Sequence, residues 1–122
     1  MRALRVLVVD DDEIICTLLG DILRRLGHQA VTHTVPQLGL SAARKQDFDL
    51  VLLDVRMPGL DGVEALKQMR PLLPKARFVM ITGSAADERV DDALAAGAAL
   101  CLAKPFDLEM VEQVLATLFG GG

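Results

Sequence analysis

Short aliphatic runs alternate with helix-period segments along the whole of this chain, and that alternation leaves few folds open. Val6 to Val9 is a continuous apolar run stopped by acids at Asp10, Asp11, Asp12 and Glu13. A run of that kind suits a strand covered on both faces. Behind it, Ile15, Leu18, Leu19, Ile22, Leu23 and Leu26 recur on one face of a helix, Arg24 and Arg25 fall in its last turn, and Gly27 follows as a cap. Four more units repeat the scheme. Strands are predicted at Gln29–Thr32, Leu50–Leu53, Phe78–Ile81 and Leu100–Ala103. Helices are predicted from Pro36 to about Lys45, from Gly62 to Met69, from a capping box at Ser84-Ala85-Ala86-Asp87 to Gly97, and behind Asp107. In the last helix Leu108, Val111, Leu115 and Leu118 form the apolar stripe, and Phe106 and Val111 are placed as a hydrophobic staple. Strict alternation of this kind implies a parallel sheet with right-handed crossovers and helices on both faces. With 122 residues there is room for one domain and none for a closed eight-stranded barrel. The expected fold is therefore α/β, a doubly wound five-stranded parallel sheet flanked by five helices.

Composition narrows the function classes. The net charge is −4, so no basic surplus is present to neutralise phosphates, which argues against direct nucleic-acid binding by this domain. Aromatic residues are 3% of the chain, with no Trp or Tyr, so the core must be aliphatic. Cys16 and Cys101 lie far apart in apolar segments and fit no metal spacing; two free thiols in a reducing cytoplasm are expected. No apolar stretch is long enough to span a bilayer, and the acids after Val9 make the first run a strand and not a secretion signal. The domain is expected to cover residues 1–119, with Gly120–Gly122 as a linker stub or an appended end.

Ligands of an open parallel sheet bind beyond the carboxyl ends of its strands. Strand 1 ends in Asp10, Asp11 and Asp12, strand 3 in Asp54, strand 4 in Thr82 and strand 5 in Lys104. Each has a plain structural reading as well: Asp10–Asp12 as helix caps, Asp54 as the start of a loop, Thr82 before Gly83 as a turn residue, Lys104 before Pro105 as a solvated lysine. The chemical reading gains from all four groups falling on one edge. Clustered carboxylates repel one another, and a hard divalent cation relieves that repulsion. With oxygen ligands and no His or Cys the set favours Mg²⁺. A carboxylate, a cation, a hydroxyl and an amine are together the parts for phosphoryl transfer to a carboxylate nucleophile.

On the segments VLVVDDDE, DLVLLDVRMPGLDGVEAL, FVMITGSA and AKPF, the chain resembles the receiver domain of bacterial two-component response regulators over essentially its full length. The resemblance implies that Asp54 accepts a phosphoryl group from a sensor histidine kinase or phosphotransfer protein. It implies Mg²⁺ held by Asp10, Asp11, Asp54 and the main-chain carbonyl of Arg56, with Asp12 continuing into the first helix. Lys104 would pair with the phosphoryl oxygens and Thr82 would move to hydrogen-bond them. A cis Lys104–Pro105 bond and the strand order 2-1-3-4-5 are expected. The face made by helix 4, strand 5 and helix 5 would meet an output domain or effector. Such a domain signals by switching partners and is not an enzyme acting on a separate metabolite. Two departures stand out: Cys101 replaces the aromatic residue common on strand 5, and Arg56 puts a long cation at the rim of the site. Two other functions compete. A haloacid-dehalogenase-like phosphohydrolase would place its nucleophile on strand 1, leaving the Asp54 segment unexplained. A receiver-like scaffold that is never phosphorylated would have no use for so complete a set of polar groups.

Overall fold

The computed structural model describes residues 2–84 and 86–120. Five parallel strands form the sheet: β1 (Arg5–Val9), β2 (Gln29–His33), β3 (Leu50–Asp54), β4 (Arg77–Thr82) and β5 (Leu100–Ala103). Their order is β2-β1-β3-β4-β5, as expected. The helices between them are α1 (Glu13–Arg25), α2 (Pro36–Lys45), α3 (Gly62–Met69), α4 (Arg89–Ala95) and α5 (Leu108–Leu115). A π-helical turn, Ala116–Gly120, prolongs α5. Gly121 and Gly122 of the expected tail lie outside the described residues.

The central strands look uniformly apolar in sequence because each feeds two cores. Val6, Val8, Leu50, Leu52, Val79 and Ile81 pack toward α1 and α5, with Leu19, Ile22, Leu23, Val111 and Leu115. Their sequence neighbours Leu7, Val9, Val51, Leu53, Phe78 and Met80 point the other way, toward Leu40, Val63, Leu66 and Met69 of α2 and α3. Alternate side chains leave opposite faces of a strand, so a sheet covered on both sides needs an apolar residue at every position. Each fully buried Leu or Val contributes roughly 1.5–3 kcal/mol. All five residues of β3 are buried, and β3 sits at the middle of the sheet.

The helix stripes run wider in sequence than in space. Leu18 of α1 and Leu108 of α5, both expected on buried faces, are 38% and 42% exposed. They lie at the rim of their stripes, beyond the reach of the sheet. The start of α4 also differs from expectation. Ser84 does not cap it: the helix begins at Arg89, and the Asp87 carboxylate accepts from the Arg89 N–H at 2.8 Å. The Ser84 hydroxyl accepts from the Ala86 N–H at 3.2 Å, inside the loop ahead of the helix, while its backbone groups bond to the Thr82 hydroxyl; Ala85 of the expected box lies outside the described residues. The other caps stand where expected, Asp12 on α1 and Asp107 on α5, each accepting a first-turn N–H. Phe106 and Val111 are both buried in the α1/α5 core.

Candidate functional site

The carboxyl edge of the sheet gathers the polar groups that sequence placed there. Asp10 leaves β1 fully buried, Asp54 ends β3 at 6% exposure, and Thr82 ends β4 at 2%. Asp11 beside them is exposed. Backbone bonds pin the strand ends: Asp10 N–H to His33 O at 3.2 Å, Val55 N–H to Ile81 O at 2.9 Å, and Lys104 N–H to Thr82 O at 2.8 Å. The Lys104–Pro105 peptide is cis.

One carboxylate oxygen from each of Asp10, Asp11 and Asp54 lies within 4.8 Å of the other two. Asp10 Oδ1 accepts from the Asp12 N–H at 2.9 Å, whereas Oδ2 is buried without a hydrogen-bond partner. The nearest cation to Oδ2 is the Lys104 ammonium at 3.4 Å, which also stands 3.8 Å from Asp54 Oδ2. Burial, reinforced by the Asp10 carboxylate, pushes the Asp54 carboxyl up to about 7; the Arg56 N–H, 3.1 Å from Oδ1, and Lys104 pull the other way. A buried orphan oxygen, crowded carboxylates and an oxygen-only donor set fit a hard divalent cation of the Mg²⁺ type. Asp12 stays apart from this set; its carboxylate is spent on the Ile14 N–H.

Behind Asp54 the chain forms a tight two-residue hairpin, pairing Arg56 with Asp61 and Met57 with Leu60. Gly62 closes it. A Cβ there would lie 1.9 Å from the Asp54 carbonyl oxygen, so only glycine permits this approach. The Arg56 side chain is bound to Asp87, with Nε at 2.6 Å and Nη2 at 2.8 Å from its two oxygens. Arg89 returns the contact to Asp61 at 2.7 Å. Sequence places Asp87 in a capping box and Asp61 in the acceptor segment, but not their pairing with Arg56 and Arg89, since pairs 31 and 28 residues apart leave no local pattern. Thr82 Oγ1 donates to the Ser84 carbonyl at 2.9 Å, within its own loop.

An open five-stranded parallel sheet with this acid cluster, hydroxyl and lysine defines a phosphoryl-accepting signalling class, and the comparisons name it. Residues 6–116 match the response regulator receiver domain family. The chain belongs to that family. It is 37% identical over 110 residues to the transcriptional regulatory protein ZraR of Escherichia coli K12, covering 90% of this chain and 25% of that protein. The chain thus spans about a quarter of the length of that relative. Sporulation initiation phosphotransferase F of Bacillus subtilis is 31% identical over 111 residues, covering 91% of this chain and 90% of that protein. The chemotaxis protein CheY4 of Vibrio cholerae superposes with a TM-score of 0.90 at 28% identity, covering 97% of this chain and all of that one. The receiver domain of a sensor histidine kinase from Pseudomonas aeruginosa PAO1, solved with a magnesium ion coordinated in its active-site cleft, superposes at 0.86 with 26% identity, covering 98% of this chain and 100% of that one. This is a signalling domain, and the phosphohydrolase alternative is not favoured. Among the described residues no helix is long and apolar enough to cross a membrane.

Proposed function

We propose that Asp54 is the phosphoacceptor of this receiver and that the domain catalyses its own phosphorylation. An Asp54 carboxylate oxygen attacks the phosphorus of a phosphohistidine. The P–N bond breaks, its electron pair stays on the imidazole, and an acyl phosphate forms on Asp54. Attack by water at phosphorus later releases inorganic phosphate and restores the carboxylate. The observation that carries this reading is the placement of Asp54: buried at the end of the central strand, yet within ionic reach of Lys104 and beside two further acids.

Each residue has a distinct task. Asp10, Asp11, Asp54 and the Arg56 carbonyl would hold Mg²⁺. When bound there, such a cation supplies the positive charge that keeps the carboxylates ionised at neutral pH and offsets charge on the phosphoryl oxygens. Lys104 shifts from Asp10 toward the new phosphoryl oxygens. Thr82 exchanges its Ser84 partner for a phosphoryl oxygen, and its loop follows.

The donor is a sensor histidine kinase or phosphotransfer protein in the cytoplasm. The output domain or effector meets the face of α4, β5 and α5, where Leu94 and Leu108 are exposed. Residues 1–119 would form the receiver.

Incubation with acetyl phosphate and Mg²⁺ tests the assignment. One phosphoryl group should appear by mass, labile to mild alkali, and Asp54→Asn should abolish it. Full labelling of Asp54→Asn, or a label found on Asp10, would overturn the reading. No label on the native protein would leave a binding scaffold.

A further inference from the structure

The two loops that flank Asp54 are stitched together by a reciprocal set of charges. The β3–α3 hairpin presents Arg56 and Asp61, held side by side as a cross-strand pair. The β4–α4 loop presents Asp87 and Arg89, held two residues apart because the Asp87 carboxylate accepts the Arg89 N–H. Each arginine takes the aspartate of the opposite loop: Arg56 with Asp87 in a bidentate pair, Arg89 with Asp61 at 2.7 Å. Asp92 braces Arg89 from within α4, at 2.6 Å. The Asp87 side chain is only 13% exposed beneath these contacts, while Arg56 is 60% exposed. A fork-to-fork pair of this kind fixes direction as well as distance.

Both loops start at a residue of the candidate site and end in this clasp. The hairpin starts at Asp54, whose Oδ1 accepts the Arg56 N–H. The β4–α4 loop starts at Thr82, whose hydroxyl is turned away onto Ser84. Moving Thr82 toward Asp54 breaks the Ser84 turn and drags the loop that carries Asp87. The clasp opposes that movement. A phosphoryl group on Asp54 adds an anion of higher charge than the Asp87 carboxylate, two residues from Arg56 in the chain.

We infer that the Arg56–Asp87 and Arg89–Asp61 pairs form a clasp that holds the domain in its resting conformation, and that phosphorylation opens it by drawing Arg56 from Asp87 onto the phosphoryl group. Arg56 is then a phosphoryl-binding residue kept in reserve, and Asp87 is its resting counter-ion. This rests on Asp54 being the acceptor. It also assigns the trigger to a charge exchange, in a chain where Cys101 leaves little side chain on β5 to follow Thr82. A two-state equilibrium moves only by the difference in stabilisation of its two forms, and here two anions compete for one guanidinium.

Asp87→Asn and Arg56→Ala separate the two roles. Asparagine keeps the acceptor for the Arg89 N–H at the start of α4 while the charge is lost. Both variants open the clasp in the unphosphorylated domain. Their Gly83, Ser84 and Arg89 amides should therefore move toward the positions seen in beryllofluoride-loaded native protein. Phosphorylation of Asp87→Asn by acetyl phosphate should be roughly three- to fivefold faster, as suits an exposed pair. The acyl-phosphate lifetimes should then part: Asp87→Asn as long as native or longer, Arg56→Ala shorter. In the native protein, the Arg56 Nε–H resonance should leave its resting position on beryllofluoride loading. Amides unmoved in Asp87→Asn, lifetimes changed alike in both variants, or an Nε–H indifferent to loading would each overturn the clasp while the acceptor reading stood. Failure of Asp54 to take either group would overturn the acceptor reading itself, and the clasp with it.

Discussion

The Lys104 ammonium lies nearer to Asp10 than to Asp54, 3.4 Å against 3.8 Å from the nearest oxygen of each. In the resting domain its main task is thus to answer the fully buried Asp10, whose Oδ2 receives no hydrogen bond. Buried charge without full hydrogen bonding is a liability that a functional site carries and a stabilising substitution removes. Asp10→Asn keeps the Oδ1 acceptor for the Asp12 N–H and deletes the charge. It should raise the unfolding free energy by about 1 kcal/mol at pH 7 without divalent cation. It should also lower the titration midpoint of Asp54, because the Asp10 carboxylate helps to hold it up. Urea titrations and carboxyl-carbon NMR measure the two effects. A destabilised variant would mean that the Lys104 pair outweighs the crowding.

Two glycines of one loop should answer differently to the same change. At Gly62 an added methyl would meet the Asp54 carbonyl at 1.9 Å and Val55 backbone atoms at 2.8 Å. Backbone cannot swing aside as a side chain can. Gly62→Ala should cost about 3 kcal/mol, at the upper end for overpacking, and should displace the proposed acceptor. At Gly59 nothing lies within 4 Å, and only its φ of +80° resists a side chain. Gly59→Ala should cost about 1 kcal/mol and leave Mg²⁺-dependent stabilisation intact. Chemical denaturation with and without Mg²⁺ distinguishes them.

The contrast between these glycines marks where sequence reasoning stops. Val6–Val9 and Leu50–Leu53 read as strands because burial on both faces demands unbroken apolar runs. Asp10, Asp54, Thr82 and Lys104 could be collected as a group because strand ends in a parallel sheet share an edge. Both inferences need only local pattern and topology. Arg56 was expected at the rim of the acceptor, but its partner there, a carboxylate 31 residues away, was not legible. The same partner, Asp87, accepts the N–H of Arg89, the first residue of α4, where a capping box at Ser84 had been expected to start the helix. Pairings between loops depend on how closely two hairpins approach, and no spacing along the chain encodes that.

His28 should tie stability to pH through one buried hydrogen bond. Its Nδ1 accepts from the Leu4 N–H at 2.9 Å, which requires the neutral ring, and burial holds its pKa below the usual 6.5. A depressed histidine contributes stability that is present above pH 6.5 and is lost as pH falls through the folded value. His28→Ala leaves a buried N–H unpaired and should cost about 1–3 kcal/mol at pH 8. That difference should narrow below pH 6.5, where the ring of the unfolded chain takes up a proton that the buried ring resists. A difference constant from pH 8 to pH 5 would show that the ring acts through packing alone.

Asp54 should produce a slope of the opposite sign. Burial and Asp10 raise its carboxyl from 3.8 to about 7, so between those values the folded domain holds a proton that the unfolded chain has released. Stability linked to this group is complete below pH 3.8 and is lost as pH rises through about 7. Asp87, held low chiefly by Arg56, works the other way, and only below 3.8, so it does not enter this window. Asp49 is also held low, its hydrogen bonds from Arg2 and the Arg5 N–H outweighing the opposing effect of burial, and it acts in that same lower range. His28 does overlap the window, with positive slope, and is common to native protein and variant. The difference between native protein and Asp54→Asn therefore isolates Asp54. In urea titrations without divalent cation, the native protein should lose stability relative to Asp54→Asn as pH rises from 4 to 7, and the difference should level off above about 8. Added Mg²⁺ should flatten the difference by favouring the ionised carboxylate across the range. A flat difference without Mg²⁺ would place Asp54 in a solvated setting and remove the electrostatic reason for a cation at this edge of the sheet.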